Sequence, residues 1–247
     1  MNPISWRVEH FDHIDSTNTW LVDRARSGAP EGTVAYADFQ TAGRGRLDRV
    51  WEAAPGSSLL CSILLIPPLD ADELHLAVAC VALGARAALV RLSGVRPGLK
   101  WPNDLMVGDR KVAGLLAEVV QTDEGLAVVV GIGVNLTTPA SSDARATNIF
   151  TEAGVTITPR ALLDILLEEV EWRRRALEDE QGTARLREEY EGSLVTLGQT
   201  VRIQTQDETS VGEAIGVDHH GRLVVLVDGA KQVFDVGDVV HVRFEGQ

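Results

Sequence analysis

The sequence predicts an α+β protein: a mixed β-sheet with flanking helices, followed by a small all-β unit. Three observations carry this. Short apolar or alternating runs at 8–14, 33–39, 58–66, 112–120 and 126–136 read as strands. Apolar residues recur at helical spacing from Leu74 to Leu89 and from Leu162 to Leu177. Beyond Gly192 the pattern changes to five short strand-like runs separated by turns. The expected division is therefore 1–192 and 193–247. A chain of 247 residues is long enough for one large or two unequal domains with a real core.

In chain order, residues 8–14 (VEHFDHI) alternate apolar and polar side chains, as a half-buried strand does. Asp15-Ser16-Thr17-Asn18 then supplies N-cap residue types before a helix that carries Trp20 and Leu21 and stops at Gly28. Capping accounts for one of these residues. The surplus of short hydrogen-bonding side chains fits a ligand beyond the strand end, where they can read a urea, amide or hydroxyl.

Strand 33–39 leads into Gln40-Thr41-Ala42-Gly43-Arg44-Gly45-Arg46-Leu47-Asp48-Arg49-Val50-Trp51. Gly43 and Gly45 allow close backbone approach to a ligand, and Arg44, Arg46 and Arg49 supply forks suited to phosphate or carboxylate. A small anion would order such a loop. A solvated basic surface loop explains the same residues equally well.

Pro55-Gly56 marks a turn, 58–66 (SLLCSILLI) reads as a buried strand, and Pro67-Pro68 ends it. Asp70 and Glu73 have capping-box spacing before a core helix that runs to Gly94. His75 on that helix is expected at the surface. Pro102 ends or bulges a strand after Lys100 and Trp101, and Gly108-Asp109-Arg110 reads as a hairpin turn. Lys111 then opens an apolar strand, where a lysine must snorkel or meet an anion. Asp104 can pair with it or hold a divalent cation through one carboxylate.

Strand 126–136 is broken on one face by Gly131 and Gly133, which admit close approach, and it ends at Asn135. This Gly-Ile-Gly lacks the third glycine and the following helix of a dinucleotide fingerprint, and the chain has no P-loop. Residues 141–148 read as loop, and Thr158-Pro159 opens a long amphipathic helix whose Arg173-Arg174-Arg175 is expected to face solvent. A second short helix ends near Tyr190. The final runs, 200–205, 210–217, 222–227, 232–236 and 239–244, suggest a barrel of the Src-homology-3-like kind, about fifty residues long. His219-His220 flanks a turn without metal-ligand spacing.

Composition narrows the class. The net charge is −13, from 36 acidic against 23 basic residues, which opposes a broad nucleic-acid-binding face. Cys61 and Cys80 sit in apolar surroundings, as buried reduced thiols of a cytoplasmic protein do. Residues 1–7 lack an apolar signal-peptide core, and no uninterrupted apolar run reaches membrane-spanning length.

Five ordered motifs carry a resemblance to a family. They are Ser16-Thr17-Asn18, the 40–46 loop, Lys100-Trp101-Pro102-Asn103-Asp104, Arg110-Lys111-Val112-Ala113-Gly114 and Gly131-Ile132-Gly133-Val134-Asn135. Together with the small C-terminal unit they resemble the biotin protein ligases, over nearly the whole chain from Phe11 onward. The resemblance implies the class II aminoacyl-tRNA synthetase-like biotin–lipoate ligase fold. It implies activation of biotin by ATP with magnesium, then transfer of biotin from biotinyl-5′-AMP to a lysine of a biotin carboxyl carrier domain of acetyl-CoA carboxylase.

The same resemblance assigns roles. Ser16, Thr17 and Gln40, with backbone groups of Gly114 and Leu116, would hydrogen-bond the ureido ring, and Gly131 and Gly133 would let the bicycle lie flat. Trp51 would pack on the activated ligand. Arg44, Arg46 and Arg49 would engage the carboxylate and phosphates, with Arg44, Arg46 and Lys111 catalytic. Asn135 would contact the nucleotide and Asp104 the magnesium ion. Asn18, Gly43, Gly45, Lys100 and Asn103 complete the binding set by their motif positions. No general base for the transfer step stands out; Asp104 is one candidate.

Asp48 departs from the family pattern, where glycine is common. About ten residues precede the first strand, too few for the DNA-binding domain of the repressor members, so a ligase without repressor activity is expected. A lipoate or octanoate transferase on the same fold and a non-catalytic sensor are the alternatives. The resemblance permits a homodimer paired through exposed strands, though no decisive apolar edge stands out.

Overall fold

The computed structural model describes residues 3–47, 49–123, 125–138, 145–205, 209–235 and 238–241. Asp48, 139–144 and the end of the last expected strand lie outside them. The chain builds a seven-stranded sheet and a five-stranded sheet. The first starts with β1 (Arg7–Ile14), which lies parallel to β2 (Thr33–Gln40). Parallel neighbours need a crossover, and α1 (Thr17–Arg26) provides it. The remaining strands are β3 (Ser58–Leu65), β4 (Gly98–Lys100), β5 (Asp104–Val107), β6 (Arg110–Thr122) and β7 (Gly125–Asn135). They stand in the order β1-β2-β3-β7-β6-β5-β4 and pair antiparallel beyond β2.

Helices cover both faces. On one, Leu21, Val22 and Ala25 of α1 pack against Ala35, Leu64, Val120, Ala127 and Val129. On the other lies α2 (His75–Ser93), with α4 (Pro159–Ala176) and α5 (Glu180–Ser193) packed on it. Every residue of β3 is buried, which is why it reads as an unbroken apolar run. By length and composition α2 could cross a bilayer, but its buried side chains belong to this core. Cys61 and Cys80 are in the core too, and burial pushes both thiols up to about 12.

The second sheet contains β8 (Thr200–Gln204), β9 (Thr209–Val217), β10 (Leu223–Val227), β11 (Ala230–Phe234) and β12 (Asp238–His241), all antiparallel in the order β11-β10-β9-β8-β12. These are the five runs the sequence predicts. Among the described residues no β11–β12 pairing closes them into the expected barrel. Val201, Ile203, Ala214, Leu223 and Val225 join the same buried cluster as α2.

Three expectations need correction. Asp70 and Glu73 form no capping box: α2 starts after Leu74 without a side-chain cap, and the Glu73 carboxylate instead meets Arg187 of α5. Arg173 and Arg174 are buried. Arg173 bonds Glu169 and Glu189, and Arg174 bonds Glu31 and the Ile66 carbonyl, because α5 and the 30–31 turn cover that side of α4. Of the three arginines only Arg175 is exposed. His75 lies beneath Gly221 at the contact between the two sheets' units, and burial lowers its imidazole to about 4. A short helix α3 (Ile149–Ala153), capped by Asn148, is not among the expected elements; five residues are too few to show a helical period.

Candidate active site

A cavity of about 1280 Å³ opens over β6 and β7 and is lined by residues from both units. Of the sequence-predicted residues, all but Gly43 line it. Gly43 acts from behind. A Cβ there would overlap the Trp51 carbonyl oxygen and come 3.1 Å from Gln40 Nε2. The Gly43 carbonyl instead accepts from Trp51 N at 3.0 Å, and Arg44 bridges to Val50, so 43–51 folds back as a hairpin. Leu47 near its tip has φ 54, a left-handed conformation that costs a side-chain-bearing residue about 1–2 kcal/mol.

At one end of the cavity the start of α1 meets the end of β2. Ser16 caps the helix by accepting from Thr19 N. Gln40 Oε1 accepts from both Thr17 N (2.7 Å) and Thr17 Oγ1 (3.0 Å), so the amide presents only its N–H groups to a ligand. Asn18 is buried; its Nδ2 donates to the Leu116 carbonyl at 3.2 Å and to Glu118 at 2.9 Å. Ser62 Oγ stands 2.6 Å from Asn18 Oδ1 and 2.8 Å from Thr17 Oγ1.

Gly114 and Leu116 of β6 lie opposite Gly133 and Gly131 of β7. The bare lane these residues leave is filled from within the protein. A Cβ on Gly131 would strike Asn18, and one on Gly133 would come 2.6 Å from Trp51 Cζ2. The indole thus lies over Gly133 and Gly114, where the resemblance places the bicycle.

The charged part of the lining is mostly cationic. Arg44, Arg46, Arg49, Lys100, Lys111 and Arg145 line the cavity, against Asp104 and Asp109. In a chain of net charge −13 this is a local reversal of sign. Arg46 donates to Asn103 Oδ1 at 3.2 Å, and Asn103 is itself locked to Leu115 by a 2.7 Å bond to its carbonyl. Lys111 Nζ stands 2.6 Å from Asp104 Oδ1 and 5.6 Å from the Trp51 ring centre. The lysine meets an anion instead of snorkelling, since β5 sets Asp104 beside it. Asn135 donates to the Thr147 carbonyl at 2.9 Å.

The Lys100–Asp104 segment is held from the C-terminal side. Trp101 N donates to Thr196 Oγ1 and Trp101 Nε1 to the Gly221 carbonyl, both at 2.9 Å. The Trp101–Pro102 peptide is cis.

Comparison with known proteins gives the family. Residues 10–135 match the model of the biotin/lipoate A/B protein ligase family, and residues 196–242 match the biotin protein ligase C terminal domain. The chain belongs to the biotin/lipoate A/B protein ligase family. It is 36% identical to the biotin–[acetyl-CoA-carboxylase] ligase of Mycobacterium tuberculosis, over 96% of this chain and 90% of that one. It is 30% identical to the bifunctional ligase/repressor BirA of Escherichia coli, over 92% of this chain and 71% of that one. The structure matches a biotin protein ligase from Aquifex aeolicus in complex with biotin and ATP, with TM-score 0.80 and 25% identity, covering 96% and 99% of the two chains.

Sequence reasoning missed Arg145, which lines the cavity, and two further groups. Ser62 and Glu118 hold Asn18, and neither stands in a motif: one lies in an apolar run, the other mid-strand. Val195, Gln199, Val239, Val240 and His241 line the cavity from the C-terminal unit. Only the junction of the two sheets brings them there, so nothing local in the sequence signals them.

Proposed function

We propose that this ligase activates biotin with ATP to biotinyl-5′-AMP and transfers the biotinyl group to a lysine of a biotin carboxyl carrier domain. The observation that carries this is the polarity of the cavity. Ser16, Thr17, Asn18 and Gln40 form a neutral cluster in its lining. Arg44 stands beside that cluster through Glu118, and Arg46, Arg49, Lys100, Lys111 and Arg145 supply the other cations. A ureido ring needs donors for its carbonyl and acceptors for its N–H groups. Gln40 offers the donors, and hydroxyl and carbonyl oxygens at Ser16, Thr17 and Leu116 offer the acceptors.

The biotin carboxylate and the ATP α-phosphate repel each other in water. Arg44, Arg46, Arg49 and Lys111 offset that repulsion, and Lys111 and Arg46 stabilise charge gathering on the phosphate as pyrophosphate leaves. Lys100 and Asn135 line the same cavity and are assigned to contact with the nucleotide. Trp51 sits on a loop with glycine flanks, so it is the part that moves aside to admit the ring and then closes on it. Closure excludes water from the acyl phosphate, a mixed anhydride prone to hydrolysis, until the acceptor lysine arrives.

Asp104 is the carboxylate of the cavity lining placed beside Lys111. The one group of three His, Asp or Glu ligands among the described residues, His10, Asp12 and Asp38, does not line the cavity. A single carboxylate fits magnesium held mainly by phosphates and water, and the ion would add Lewis-acid stabilisation of the phosphates. Buried thiols at Cys61 and Cys80 fit a cytoplasmic enzyme. The acidic net charge favours a ligase that does not bind DNA.

The test is incubation with ATP, magnesium, biotin and a carrier domain, read by intact mass. One biotinyl group added to the carrier is expected. An unmodified carrier, or preferential addition of an octanoyl group when both acids are offered, would overturn the reading.

A further inference from the structure

Glu118 of β6 does not itself line the cavity, but it holds two residues that do, Asn18 and Arg44. Its Oε1 accepts from Arg44 Nη2 at 3.1 Å, and its Oε2 accepts from Arg44 Nη1 at 3.2 Å and from Asn18 Nδ2 at 2.9 Å. One side chain thus grips the first arginine of the loop with both oxygens and, with one of them, a residue of the neutral cluster. The two substrates of the activation step, biotin and ATP, are both anionic. A carboxylate here repels those anions, so it lowers affinity unless it offsets the repulsion by orienting the groups that bind them.

The geometry shows that orientation. The Asn18 amide has both N–H groups on acceptors, Leu116 O and Glu118, and its oxygen 2.6 Å from the Ser62 hydroxyl, so only one flip state satisfies it. Arg44 is otherwise exposed on a glycine-flanked loop, and a bidentate fork fixes the plane of its guanidinium. We propose that Glu118 is a positioning residue for the biotinylation reaction. By binding Asn18 and Arg44 through one carboxylate, it sets the distance between the group beside the ureido ring and the group for the biotin carboxylate.

This rests on the proposed function, and the test separates the two. Biotin affinity of the full chain is measured by calorimetry, with kcat and KM from pyrophosphate release. Wild-type protein that binds no biotin would remove the function itself. Given wild-type binding, Glu118→Gln keeps the shape but puts an N–H against an N–H donor. It should raise biotin Kd and KM about tenfold, as for a lost bond to a charged group, with kcat within about threefold. Glu118→Asp keeps the charge but is too short to span both donors and should behave the same way. That second variant serves if the first unfolds. Combined with Asn18→Ala, Glu118→Gln should cost less than it does alone, because half of what it positions is gone. Unchanged or tighter biotin binding in a folded Glu118 variant would overturn the proposal. So would a fall in kcat with KM constant, or strict multiplication of the two single effects.

Discussion

Gly131→Ala is the sharpest test of how the site is built. Gly131 is pinned on both sides, opposite Ser62 of β3 and Leu116 of β6, so its strand cannot retreat. A Cβ there overlaps Asn18 Oδ1 outright and stands 2.9 Å from its Cγ and 3.3 Å from its Nδ2. Backbone preference does not oppose the change; alanine for glycine within a strand gains about 0.5–1 kcal/mol. Asn18 must therefore swing out and lose its contacts with Ser62, Leu116 and Glu118. Neutral hydrogen bonds contribute about 1 kcal/mol each and one to a charged partner about 1.5–3 kcal/mol. Allowing for partial replacement by water, a net loss of about 3 kcal/mol follows. At roughly 2–4 °C per kcal/mol for a chain of this size, Tm should fall by about 6–12 °C. Thermal unfolding and biotin calorimetry read the two consequences, and biotin affinity should fall with Tm. In the Asn18→Ala background the obstacle is gone, so adding Gly131→Ala should cost little more. A Tm within 2 °C of wild type with unaltered biotin affinity would refute the reasoning.

Other outcomes follow from the same geometry. Lys111→Ala should retain biotin binding but lose about 10²–10³ in adenylation, the effect of removing one preorganised donor. Its half-exposed pair with Asp104 adds at most about 1 kcal/mol to stability, so unchanged pyrophosphate release in a folded variant would remove Lys111 from catalysis. The 43–51 loop should exchange amide hydrogens readily without ligand and be protected with biotinyl-AMP bound; equal protection in both states would contradict a closing loop. His75 gives a pH dependence of stability. Burial takes it from 6.5 to about 4, so below pH 6.5 the unfolded chain binds a proton that the native state excludes. Stability should fall as pH drops from 6.5 to 4, by about 3 kcal/mol in all, and His75→Gln should flatten that part of the curve. Identical urea midpoints for the two proteins across that range would show that His75 does not titrate as its burial requires.

Much of this was legible in the residues because the physics is local. Alternation marks β1, unbroken apolar runs mark β3 and β7, capping residue types mark the start of α1, and a 3.6-residue period marks α2 and α4. Ser16 and Thr158 cap the helices they precede, and glycine with arginine marks a loop for anions. The ordered motifs then select a family. What local patterns do not contain is which face of an element a neighbour will cover. Arg173 and Arg174 read as solvated until α5 and Glu31 close over them, and His75 reads as surface until Gly221 lies on it. Glu118 is one acidic residue in a strand until α1 and the 43–51 hairpin bring Asn18 and Arg44 to its two oxygens. Sequence alone determined the chemistry available to this protein, because side-chain type and short-range spacing are local properties. Tertiary structure alone decided which charges are buried, which are paired and which are left facing the cavity, because those depend on elements distant in the chain meeting in space.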